Sequence, residues 1–100
     1  MYEMIVAMNV TNPERYAKYR EAMAPILAEC GGGFRFDFVA SEQLLPAPEH
    51  DVTRVFCITF ADRDACARFF ADKRYLQVKA EHYEGAVDGF TVVAEYALDV

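Results

Sequence analysis

Between Thr11 and Phe38 the hydrophobic pattern changes period. Apolar or aromatic residues first recur at Tyr16, Tyr19, Met23, Ile26, Leu27 and Cys30, in steps of three and four that make one stripe along a helix. Glu14, Arg15, Lys18, Glu21 and Glu29 fall on the opposite, solvated face. After Gly31-Gly32-Gly33 the period drops to two: Phe34, Phe36, Phe38 and Ala40 alternate with Arg35, Asp37 and Val39, as in a strand. Both helix ends are marked. Asn12 before Pro13 places a cap residue ahead of a proline at the first helical position, where its missing N–H costs nothing. Thr11 with Glu14 forms a competing capping box one residue earlier, and the register with Pro13 first is preferred. Pro25, inside the run, removes a backbone hydrogen bond and predicts a bend. Gly31 suits the left-handed conformation that ends a helix.

The same alternation predicts three more strands. Tyr2 to Val10 sets Tyr2, Met4, Val6, Met8 and Val10 against Glu3, Ile5, Ala7 and Asn9. Thr53 to Phe60 sets Arg54, Phe56, Ile58 and Phe60 against Val55, Cys57 and Thr59. Phe90 to Leu98 sets Phe90, Val92, Ala94 and Tyr96 against Thr91, Val93 and Glu95. Neither face of the first and third strands is clearly polar, so both sides of the sheet are expected to be covered. Asp62 caps a second helix with Ala65, Cys66, Phe69 and Phe70 inward, and Asp72-Lys73-Arg74 interrupts it. A further helical piece from about Tyr75 to Tyr83 carries Tyr75, Val78 and His82 on one face. The Pro-rich stretch Glu42–Asp51, with Pro46, Pro48, Glu49 and His50, is expected to be the most mobile loop.

The element order is β-α-β-β-α-β, an α+β, ferredoxin-like arrangement in which an antiparallel four-stranded sheet carries both helices on one face. Residues 1–100 form one domain. The bare sheet face is too apolar for water. Its simplest cover is a second copy packed face to face, a barrel across a twofold axis; the competing arrangement is a monomer whose loop covers the face. Hydrophobic residues at 54% are rich for a small monomer and point the same way.

Charge and length exclude other classes. A net charge of −6 without a basic stripe argues against nucleic acid and anionic membranes as partners. No apolar run is long enough to span a bilayer, and the N-terminus reads as a strand rather than a signal peptide. Cys30, Cys57 and Cys66 show neither metal nor redox spacing, which predicts a reduced, cytoplasmic protein without a metal or other cofactor.

Asn12-Pro13-Glu14-Arg15-Tyr16-Ala17-Lys18-Tyr19, Ala24-Pro25, the glycines before the alternating strand, Val55 to Phe60, Ala65 with Phe69-Phe70, and Tyr75 with the helix after it form a pattern over nearly the whole chain. It resembles the family labelled domain of unknown function 1330, in the dimeric α+β barrel superfamily. The resemblance implies a homodimeric ferredoxin-like barrel. Relatives in that superfamily include cofactor-independent monooxygenases, lactone isomerases, haem-degrading enzymes and stress-response proteins. The chain departs from the pattern at His82, where an arginine is usual, and at Glu42–Pro46, which lacks a Glu-Gly pair.

Candidate chemistry is sparse. His82, sharing a helix face with Tyr75 and Val78, is the candidate catalytic base if it points into a cleft under the sheet; the alternative is a histidine satisfied by local hydrogen bonds. His50, in a polar loop, is expected to be exposed. Arg35, placed with Asp37 opposite the phenylalanines and within reach of Arg54, is a candidate receiver of a carboxylate or enolate, against the plainer reading of a rim ion pair. Asn9, Thr59 and Glu95 are polar positions on apolar strands and candidates to line the same pocket, with Tyr75 as a hydrogen-bond donor; tyrosines at helical spacing are more often core. Two function classes follow. One is a homodimer binding a small organic molecule between sheet and helices, with cofactor-free proton transfer or oxygenation as its chemistry. The other is a non-catalytic dimeric binding or stress-response module.

Overall fold

The elements begin and end where side chains satisfy the backbone. The structure is a computed structural model that describes residues 1–46 and 49–98; Pro48 of the loop lies outside the described residues. In chain order the elements are β1 (Tyr2–Val10), α1 (Pro13–Glu29), β2 (Gly33–Val39), β3 (Arg54–Phe60), α2 (Arg63–Ala71), α3 (Lys73–Val78), a π-helical turn (Lys79–Tyr83) and β4 (Val87–Ala97). Asn12 caps α1 by accepting the Arg15 N–H at 3.1 Å, with Pro13 first in the helix. Thr11 is drawn off to the Ala86 carbonyl instead. The helix runs continuously through Pro25. It closes with two backbone bonds, Gly32 N–H to Leu27 carbonyl at 2.9 Å and Gly31 N–H to Ala28 carbonyl at 3.0 Å. That pair is a Schellman motif, which requires the left-handed φ of 74° at Gly31. Asp62 and Asp72 cap α2 and α3 by accepting the N–H groups of Ala65 and Arg74.

The strands form one antiparallel sheet in the order β2-β3-β1-β4, the ferredoxin-like topology. All helices lie on one face. There Tyr2, Met4, Val6 and Met8 of β1, with Phe56, Ile58 and Phe60 of β3, pack against Tyr16, Tyr19, Met23, Leu27, Phe69 and Tyr75. No helix among the described residues is long and apolar enough to cross a membrane.

Two β-bulges overturn the expected side-chain alternation. In β2 the pairing steps from Phe34 opposite Ile58 to Phe36 opposite Cys57, leaving Arg35 as the extra residue. Phe34 therefore faces the helices, whereas Phe36 and Phe38 face the open side. Arg35 and Asp37 part company: Asp37 goes to the helix face and Arg35 to the open one, beside Glu3. In β4 the register shifts between Ala94, opposite Ile5, and Val92, opposite Val6. Val92 and Phe90 then share the helix face with Val6 and Met8, and Ala94 and Tyr96 take the open face with Ile5 and Glu3. One inserted residue reverses every side chain beyond it, because the strand period is two.

The open face carries no helix. Its β1 row is Glu3, Ile5, Ala7 and Asn9, flanked by Val55, Cys57 and Thr59. Glu3 is fully buried there, 3.1 Å from the Arg35 guanidinium and accepting the Tyr96 hydroxyl at 2.9 Å. His50 is half-buried rather than exposed. Its ring lies over Gly89, so close that a side chain at Gly89 would collide with it. Nδ1 donates to the Asp51 carbonyl at 2.7 Å and Nε2 lies 2.7 Å from the Thr91 hydroxyl, which fastens that end of the loop to β4.

Candidate functional site

The packing between sheet and helices is incomplete. A cavity of about 490 Å³ remains over the middle of the sheet. That volume lies within the range of small-molecule sites, on the order of 300–1,000 Å³. β1 and β3 supply its floor through Met4, Val6, Met8, Phe56 and Ile58, and α1 supplies the roof through Tyr16, Tyr19, Arg20 and Met23. Phe34 closes the β2 side, Phe90 the β4 side, and Phe70, Tyr75, Lys79 and Tyr83 the remaining wall.

Three polar groupings interrupt this apolar surface. The Tyr19 and Tyr75 hydroxyls are 2.8 Å apart, and both residues are buried. Burial raises the pKa of each above the ordinary tyrosine value, and raises that of Tyr16 as well. Burial likewise pushes Tyr83 up to about 12. These hydroxyls stay protonated at neutral pH and act as donors, not bases.

Arg20 is the second grouping. Its Nε donates to the Tyr16 hydroxyl at 2.9 Å, its terminal nitrogen pairs with Asp37 at 2.6 Å, and its guanidinium lies 3.7 Å from the Phe34 ring centroid. Asp37 also receives Arg54 in a two-pronged contact at 2.8 and 2.7 Å. Burial alone would raise the Asp37 carboxyl, but the Arg54 hydrogen bonds and the Arg20 charge hold it below its usual value. Lys79 is the third. It lines the cavity while being exposed, and its ammonium lies 5.6 Å from the Tyr83 ring centroid.

Most of the residues expected from sequence lie elsewhere. Tyr75 lines the cavity. His82 is not among the lining residues; its Nε2 lies 3.7 Å from the Glu81 carboxylate, at the surface end of the helix. The physical reason is the π-helical turn. The wider turn advances the inward stripe in steps of four, to Tyr75, Lys79 and Tyr83, where an α-helix would have carried it to His82. Arg35 and Thr59 lie on the open sheet face, turned away from the cavity. So does Asn9, whose amide donates to Asp88 at 2.6 Å. Glu95 is on the helix face but outside the cavity lining, beside Tyr2 and Arg63; burial with this carboxylate raises the Tyr2 pKa. The residues that sequence reasoning missed are Arg20 and Lys79. Each lies four residues after a stripe tyrosine, Tyr16 and Tyr75, and that spacing was the available signal.

The fold recurs among solved structures at low identity. A protein of unknown function from Rhodopseudomonas palustris superposes with a TM-score of 0.81 at 16% identity, covering 99% of this chain and 83% of that one. A dabb family protein with a ferredoxin-like fold from Mesorhizobium loti gives 0.70 at 14%, covering 99% and 97%. An uncharacterized NIPSNAP domain protein from Burkholderia xenovorans gives 0.58 at 16%, covering 99% and 100%. These likenesses concern the fold. No curated protein matches the sequence significantly. A family profile covers residues 2–96, nearly the whole chain, and on that match the protein belongs to the family described as Domain of unknown function (DUF1330).

Proposed function

We propose that this protein is a homodimer that binds one small, largely apolar organic molecule per protomer in the cavity between sheet and helices. The observation that carries this reading is the cavity itself, with its apolar floor and the Tyr19–Tyr75 hydroxyl pair in its wall. The space is open at one side, and its volume and apolar lining suit a small organic ligand. Homodimerisation is supported by the open sheet face, where Phe36 and Phe38 stack at 5.5 Å between centroids and Phe38 is 61% exposed. Three free thiols fit a reducing, cytoplasmic setting.

Of the two chemistries, binding has the better geometric support. Among the described lining residues there is no histidine and no carboxylate. Asp37, next to the lining, is tied up by two arginines, and the tyrosines hold their protons. Proton abstraction in this cavity would lack the histidine or free carboxylate that most often serves as base.

The test is a titration with propylbenzene followed through the methyl resonances of Met4, Met8 and Met23. Saturable shifts confined to those methyls are expected, with a rise in melting temperature equivalent to about 2.7 kcal/mol at a hundredfold excess over Kd. Methyl resonances that do not move, or that move without saturating, would contradict a ligand cavity.

A further inference from the structure

If the cavity is a ligand site, its polar groups also select the ligand's charge. We propose that the cavity takes a carboxylate with an apolar, ring-sized body, and that Lys79 receives the carboxylate at the mouth. The inventory of groups is one-sided. Of the Tyr19–Tyr75 pair one hydroxyl donates to the other, so the accepting hydroxyl keeps its own proton to donate. The Tyr16 hydroxyl accepts from Arg20 Nε and also keeps its proton. Lys79 forms no ion pair among the described residues and offers its ammonium donors. Against these donors the lining presents no carboxylate. A matching ligand must therefore be rich in acceptors.

Charge points the same way. Arg20 and Lys79 line the cavity and Arg54 stands beside it, while Asp37 pairs with the two arginines alone, so the site is positive within a chain of net charge −6. At physiological salt charges are screened over about 8 Å. The distant acidic surface is thus felt weakly at the mouth, and the cations beside the ligand decide the sign. Arg20 is already committed to Asp37, Tyr16 and the Phe34 ring, which leaves Lys79 as the group able to take an incoming anion. The ring-sized body would occupy the space over Met8, Met23, Phe34 and Phe56. A second acceptor on that body would meet the tyrosine hydroxyls.

The experiment compares hydrocinnamate with hydrocinnamamide, of nearly the same shape, and with propylbenzene, by calorimetric titration of the full chain at neutral pH. Because Lys79 is partly solvated, its preference is that of a screened ion pair, and the acid is expected to bind about fivefold tighter than the amide. Lys79→Gln is expected to abolish that preference, with acid and amide then binding equally and the melting temperature of the free protein unchanged. Lys79→Arg is expected to retain it. Equal affinity for acid and amide, or a preference that survives Lys79→Gln, would overturn the proposal. If propylbenzene binds and the acid does not, the carboxylate assignment is wrong and the ligand cavity stands. If none of the three binds, both are wrong.

Discussion

Asp37 holds two guanidinium groups at once, Arg20 from α1 and Arg54 from β3, and so ties a helix to the sheet at the rim of the cavity. Its carboxyl lies below the ordinary carboxylate value, so the folded state binds this proton less readily than the unfolded chain does. The stability it contributes is present above the ordinary unfolded value of 3.8 and is lost as pH falls through the lower folded one. Asp37→Asn is expected to cost about 1–2 kcal/mol at neutral pH, discounted for partial exposure, and to flatten the acid limb of a urea-denaturation pH series. An unchanged acid limb would show that the two contacts carry no net energy. At the alkaline end the sign reverses. Burial raises the cavity tyrosines, so their contribution is intact below pH 10 and is lost as pH rises towards the folded value, about 12 for Tyr83. Tyrosinate absorbance is expected to show part of the tyrosine population titrating late, together with unfolding; titration of all six tyrosines near pH 10 in a folded protein would contradict this.

At the scale of elements, the three consecutive glycines make separable predictions. A Cβ at Gly32 would stand 2.5 Å from Leu27 Cδ1 and 2.8 Å from the Thr59 carbonyl oxygen. The leucine can move, but the strand backbone cannot without disturbing β2–β3 pairing. At Gly33 a Cβ meets nothing within 4 Å. Gly32→Ala is expected to destabilise by about 1–3 kcal/mol, and Gly33→Ala to be neutral or stabilising by up to about 1 kcal/mol. Chemical denaturation of the two variants checks this, and equal effects would contradict the close approach at Gly32.

The same elements mark what sequence could reveal. The α1 stripe, its Asn12-Pro13 start, its Gly31 end and the succession of strands and helices along the chain depend on local spacing, and local spacing is written in the residues. The two β-bulges are not, because nothing in Phe34-Arg35-Phe36 says which residue is extra. Plain alternation therefore puts Asp37 with Arg35 on one face, whereas they lie on opposite ones. The π-helical turn is equally silent, and it exchanges His82 for Lys79 and Tyr83 at the cavity. Of the expected site residues, Tyr75 is the one that an uninterrupted helical period sufficed to place.

The whole molecule has two layers, a sheet and the helices packed on one side of it. Helices cover one sheet face. The other presents Ile5, Ala7, Val55, Phe36 and Phe38 around a buried Glu3 held by Arg35 and Tyr96. A lone protomer would leave this apolar face in water, and covering it with a second copy stabilises both by roughly 25 cal/mol for each Å² of apolar surface removed from water. Charged groups at the centre of such a contact oppose it, because each must be desolvated against an apolar partner. Native mass spectrometry of the purified protein at micromolar concentration, alongside Phe38→Asp, tests the assembly most directly. The expected result is a species of twice the protomer mass for the wild type, and a folded monomer, by circular dichroism, for Phe38→Asp. A wild-type monomer, or a dimer that Phe38→Asp leaves intact, would contradict face-to-face packing of the two sheets.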